Sequence, residues 1–131
     1  MFLIILKLLI KKMIEYIQNK PKSIQNIISV LIVLFLAILH FITPPDVATF
    51  DSLMQVDKLI HFLMFFLSTS WFVLIYSDKH KIILISSLVF FGLFLELMQM
   101  QFFIFRSFEW FDWLADSIGV IVGFFTISKW L

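Results

Sequence analysis

The sequence predicts an all-α fold: a transmembrane four-helix bundle with an N-terminal amphipathic helix lying at the membrane interface. Three observations predict it. The 131 residues are 62% hydrophobic, with a mean hydropathy of +1.05, whereas soluble domains are about 45–50% apolar. Four apolar stretches approach the ~20 residues that a spanning helix needs. None of the four contains proline, and eighteen phenylalanines stand beside only three glycines, which favours long helices over strands. The length suits one compact unit. It divides into a basic segment, 1–23, and a membrane domain, 24–131.

The basic segment comes first. Phe2-Leu3-Ile4-Ile5-Leu6 resembles the start of a signal peptide, but Lys7 interrupts it and no small-residue cleavage site follows. Lys7, Lys11, Glu15, Gln18 and Lys22 recur at helical spacing and leave Leu, Ile and Met on the other face. That pattern reads as a helix on the inner leaflet. The alternative is a poorly ordered basic leader that only sets topology.

The spans run about 24–42, 59–76, 82–100 (or on to Phe105) and 110–127. Thr43-Pro44-Pro45-Asp46 stops the first, because proline disfavours a helical residue before it. Ser77-Asp78-Lys79-His80-Lys81 reads as a polar turn between the second and third. Ser107 is the expected N-cap of the fourth, with Glu109 in its first turn.

Charge sets the expected orientation. With a cytoplasmic N-terminus, Lys7, Lys11, Lys12, Lys20, Lys22, Lys79, Lys81 and Lys129 lie on one side, and only Lys58 and Arg106 on the other. Such a bias places both termini in the cytoplasm. The outer side is acidic, with Asp46, Asp51, Asp57, Glu96, Glu109, Asp112 and Asp116.

Several function classes fall away. The chain has no cysteine, so disulfides, thiolate metal sites and cysteine nucleophiles are excluded. A net charge of +1 gives no bulk signal for nucleic acid. No phosphate-binding glycine loop, Gly-x-Ser-x-Gly elbow or His-Glu-x-x-His occurs. Four short helices without inverted repeats argue against a stand-alone transporter, while an oligomeric pore stays open.

The candidate site is the set of costly groups at the outer end: Asp57, Lys58, His61, Glu96, Gln99, Arg106, Asp112 and Asp116. An ionisable group at membrane depth usually faces a partner or a cavity. With a rise of about 1.5 Å per residue, His61 and Glu96 lie ~21–23 Å above the cytoplasmic ends and Asp116 ~17–20 Å. Asp57 and His61 share a helix face, as do Glu96 and Gln99. Asp112 and Asp116 share a third, which continues through Gly119 and Gly123. A small-xxx-small pair admits a neighbouring helix, so this stripe is expected to face the interior.

Four readings of the cluster stand side by side. It could be a hydrogen-bonded network that locks the helices, with Arg106 pairing Asp112 or Glu96 and Asp57 orienting His61. It could bind a divalent metal through Glu96, Asp116 and His61, although no diagnostic ligand spacing occurs and no metal site is assigned from the sequence. It could perform acid–base chemistry, since crowded carboxylates repel and histidine titrates near neutrality. It could recognise a phosphate or sugar headgroup through Arg106, Lys58 and the N-terminus of the fourth span.

Other polar and aromatic residues get simpler readings. Trp110, Trp113, Trp130 and Tyr76 read as interfacial anchors, and Trp71 as packing. His40, at the end of the first span, could join the cluster but reads first as a wet interfacial histidine, and His80 reads as a solvated one. Ser68, Thr69 and Ser70 can bond their own helix carbonyls.

Together, Asp57-Lys58-x-x-His61-Phe62, Glu96-x-x-Gln99, Arg106-Ser107 and Asp112-x-x-x-Asp116-x-x-Gly119-x-x-x-Gly123 resemble the VanZ-like family of small bacterial membrane proteins. The likeness covers residues 56–124; the family pattern has Asn where this chain has Asp116. The resemblance implies a multi-pass protein of the bacterial cytoplasmic membrane, linked to the cell envelope and to glycopeptide (teicoplanin-type) resistance. It supplies no reaction, so function is argued from the site. The first expectation is a pocket that binds or acts on an envelope lipid or glycolipid headgroup. The alternative is a non-catalytic scaffold or modulatory subunit whose polar layer only specifies helix packing.

Overall fold

The computed structural model describes residues 1–41, 51–76, 80–102 and 107–131. These form five helices: α1 (Phe2–Gln18), α2 (Lys22–Phe41), α3 (Asp51–Tyr76), α4 (Lys81–Phe102) and α5 (Trp110–Ser128). The Thr43–Asp46 stop, the Ser77–Lys79 part of the polar turn and Arg106 lie outside the described residues. The last residue of the first expected span, Ile42, and the extension to Phe105 lie outside them too.

Four of the helices, α2 to α5, are long and apolar enough to cross a membrane. In α3 the qualifying stretch is Val56–Tyr76. By length and composition the chain is thus a multi-pass membrane protein. Helix α3 begins well before the hydropathy boundary near residue 59. Asp57 and Lys58 are therefore helical residues held on a defined face.

The spans alternate in direction. Tyr76 near the end of α3 donates its hydroxyl to Asn26 Oδ1 near the start of α2, at 2.9 Å. Trp71 Nε1 donates to Ser29 Oγ at 3.0 Å, one turn further in. Helices α3 and α5 run parallel and make the most extensive contact in the bundle. Glycine permits this approach. A Cβ at Gly123 would lie 2.6 Å from the Phe66 carbonyl oxygen, and one at Gly119 would collide with the carbonyl of Phe62.

The apolar core sits between the layers of polar residues and is built from Leu36, Phe65, Phe72, Leu88, Leu95 and Val120. Outward-facing Leu31, Phe35, Phe90 and Phe125 are exposed, which suits helices whose outer faces meet lipid rather than water.

Helix α1 docks at the end of the bundle opposite the polar cluster. The last carbonyls of a helix lack partners within it. Gln25 of α2 is buried, and its Nε2 donates to the carbonyls of Ile17 and Gln18, at 3.1 and 3.0 Å. Gln18 Nε2 in turn donates to the Leu74 carbonyl at 3.0 Å. A cleft of about 520 Å³ lies beside this junction, lined by Gln18, Lys22, Gln25, Leu74 and Lys81 among others.

Four local expectations are corrected. Helix α5 starts at Trp110 with Glu109 as its N-cap, so Ser107 is too far upstream to cap it. Asp112 is the acidic residue of its first turn. Trp113 is half-buried and donates Nε1 to the Val89 carbonyl at 3.2 Å; it ties α5 to α4 instead of anchoring at the interface. Ser68 and Ser70 do bond the carbonyls one turn back, at 2.7 Å each. Thr69 Oγ1, buried beside Gly123, has no hydrogen-bond partner among the described residues.

Candidate functional site

The alternation of the spans brings the end of α2 and α4 to the same level as the start of α3 and α5. That level holds His40, Asp57, Lys58, His61, Glu96, Gln99, Asp112 and Asp116. His40, His61, Glu96, Gln99, Asp112 and Asp116 are buried, while Asp57 and Lys58 are half-buried.

Two sub-clusters divide the layer. The rim is Lys58 with Asp112 and Glu109. Lys58 Nζ donates to Asp112 Oδ1 at 2.7 Å and reaches Glu109 Oε2 at 3.4 Å. Asp112 is fully buried, whereas the Lys58 side chain is 26% exposed, so the ammonium reaches the surface while its stem covers apolar neighbours. The start of α5 adds its helix dipole, which favours the negative charges of Glu109 and Asp112 there. The expected pairing of Arg106 with Asp112 or Glu96 lies outside the described residues; within them, Lys58 is the cation that bonds Asp112.

The inner sub-cluster is His40, His61, Glu96 and Asp116. His61 Nδ1 donates to Asp116 Oδ1 at 3.0 Å. Asp57, one turn before His61, was the expected orienting group, but the imidazole turns across to α5. Asp57 stays nearby, within 4.8 Å of His61 and Asp112 measured between possible ligand atoms. The two imidazoles meet edge to face with centroids 4.8 Å apart.

His40 was read as a wet interfacial residue; it is instead buried at the centre of the layer, 2% exposed. Its Nδ1 lies 2.9 Å from the Leu36 carbonyl oxygen, and a carbonyl only accepts, so Nδ1 carries a proton. Its own backbone carbonyl accepts from Gln99 Nε2. The sequence signal for His40 was weak because its partners are Gln99 and Asp116, far along the chain. Gly92 was also missed. It lies one turn before Glu96, and a Cβ there would sit 3.1 Å from Asp116 Oδ2. Its bare backbone leaves room for the aspartate, and the i, i+4 spacing of Gly92 and Glu96 is the signal that could have identified it.

Polar satisfaction is incomplete. His40 Nε2, Glu96 Oε1, Gln99 Oε1, Asp112 Oδ2 and Asp116 Oδ2 are buried without a hydrogen-bond partner among the described residues. Buried polar atoms are normally paired, and each exception calls for an explanation.

No family model, curated protein or solved structure matches the chain.

Proposed function

We propose that the chain is a VanZ-like protein of the bacterial cytoplasmic membrane whose outer polar layer binds or acts on the headgroup of an envelope lipid or glycolipid. By this route it would alter susceptibility to teicoplanin-type glycopeptides. The observation that carries the reading is the set of buried polar atoms in the layer that have no partner among the described residues. A network built only to lock helices satisfies its members, since a half-satisfied network is worse than an apolar core. Ionisable groups held at this depth usually face a partner or a cavity, which suits a polar ligand. The rim pair of Lys58, 26% exposed, with Asp112 and Glu109 offers a headgroup both a donor and acceptors.

The orientation belongs to this proposal. By sequence position, eight of the ten Lys and Arg residues belong to the α1 side, and the positive-inside bias supports a cytoplasmic α1 and termini with the polar layer outside. Helix α1 leaves Ile4, Leu8 and Met13 exposed beside its lysines, as a helix lying at the inner interface would. The test is glycopeptide susceptibility of cells expressing Glu96→Gln, Arg106→Ala or Asp112→Asn. Each is expected to insert at the level of the unaltered chain and to lose the phenotype. Normal insertion with full phenotype would overturn the reading.

A second reading, a scaffold without chemistry of its own, is favoured by the bonds Lys58–Asp112, His61–Asp116 and Gln99–His40, which cross between helices. On that reading the same substitutions lower detergent stability in step with function, and a packing change at Gly119 mimics them.

A further inference from the structure

We propose that His40, His61, Glu96 and Asp116 form a binding site for one divalent transition-metal ion, of the zinc class. The proposal uses three of the atoms on which the lipid reading also draws, but it concerns only what the four side chains hold.

Each residue comes from a different span, so the site exists only when all four helices assemble. Each can offer one ligand atom, and the four atoms lie within 4.8 Å of one another. All four residues are at least nine-tenths buried. Two imidazoles with two carboxylates suit zinc and its first-row neighbours; a hard ion such as magnesium prefers oxygen alone.

The orphaned atoms point to the same place. Three of the four residues have a buried polar atom without a hydrogen bond among the described residues: His40 Nε2, Glu96 Oε1 and Asp116 Oδ2. His40 Nε2 and Asp116 Oδ2 face each other at 3.6 Å. That is too long for a hydrogen bond. It is close to the ~3.4 Å that separates two donors on one tetrahedral ion with bonds of about 2.0–2.2 Å.

The surroundings match those of a metal-binding histidine. Such a residue usually donates its other ring N–H to a carbonyl or carboxylate, which fixes the tautomer. His40 Nδ1 does this to Leu36, leaving Nε2 directed at Asp116. Charge agrees too. Lys58 is engaged by Asp112 and Glu109, so it is not the counter-ion of Glu96 and Asp116. A divalent cation would neutralise those two carboxylates where ions are otherwise costly. Gly92 keeps α4 clear of Asp116 Oδ2.

The test uses the full chain, purified in detergent without chelators and without a histidine tag. Metal content is measured after equilibration with zinc, manganese or magnesium. The expected result is one zinc per chain, with affinity reduced at least tenfold in His40→Gln and in Glu96→Gln. His80→Ala, which alters an exposed histidine at the far end, should bind as the unaltered chain does. No stoichiometric zinc, binding of magnesium alone, or equal binding by both site variants would each overturn the proposal. If the variants fail to fold, cobalt substitution of the unaltered chain decides. Intense tetrahedral ligand-field bands support the site, and the weak spectrum of hydrated cobalt overturns it. Neither readout involves lipid or antibiotic, so failure here is distinguishable from failure of the lipid reading.

Discussion

His61 and Asp116 join α3 to α5 through a buried hydrogen bond of 3.0 Å between residues 55 positions apart. Asp116 is fully buried, so its Oδ1 is cut off from bulk solvent. His61→Leu is expected to destabilise the bundle by about 1–3 kcal/mol, the cost of stranding a buried acceptor. Thermal unfolding in detergent measures it. A variant as stable as the unaltered chain would show that Asp116 finds other partners.

Lys58 and Asp112 form the other strong link between the same helices. Removing one partner leaves the second stranded, and the penalty in buried pairs is about 3–5 kcal/mol. The partial exposure of Lys58 puts Lys58→Met near the lower end of that range, about 3 kcal/mol. The double variant Lys58→Met/Asp112→Asn is expected to lose less than the sum of the single changes. Additive losses in a double-mutant cycle would mean that the pair is not coupled.

The glycine seam between α3 and α5 makes a different kind of claim, since the obstacle there is backbone. Gly119→Ala is expected to cost about 1–3 kcal/mol, as overpacking does, because the Phe62 carbonyl cannot rotate away as a side chain would. Gly123→Ala, whose Cβ meets the Phe66 carbonyl at 2.6 Å, should cost somewhat less than Gly119→Ala. Unfolding of both variants in detergent ranks them, and two neutral substitutions would contradict the close approach.

Gln25 should control α1 without controlling the spans. Its amide occupies the two carbonyls that end α1. Gln25→Leu is expected to raise hydrogen exchange across the last turn of α1, while the centres of α2 to α5 keep their protection. Unchanged exchange at Glu15–Gln18 would show that α1 is held by other contacts.

How much of this was legible depends on the range of the interaction involved. The spans were, because length and continuous apolarity are local properties: observed α2, α4 and α5 begin and end within about two residues of the expected limits wherever both lie in described residues. The start of α3 was not, because hydropathy falls at Asp57-Lys58 although the helix continues through them. Lys58 is stabilised there by residues on α5, which no window around it contains. His40 shows the same limit. Judged by its neighbours it is a polar residue at a helix end; judged by Gln99, His61 and Asp116 it is the centre of the layer. The Ser107 cap failed for a local reason: the N-cap is Glu109, two residues further along. The choice of Asp116 over Asp57 as the partner of His61 rests on side-chain direction, which shared helical phase does not determine.

The central claim is that costly groups from four spans converge on one buried layer. Cysteine cross-linking in native membranes tests it most directly, because the chain has no cysteine of its own. The pairs His61→Cys/Asp116→Cys and His40→Cys/Gln99→Cys should join with a short bis-thiol reagent, while Ile38→Cys/Ile121→Cys, on exposed positions, should not. Efficient coupling of the exposed pair, with none of the layer pairs, would contradict the account.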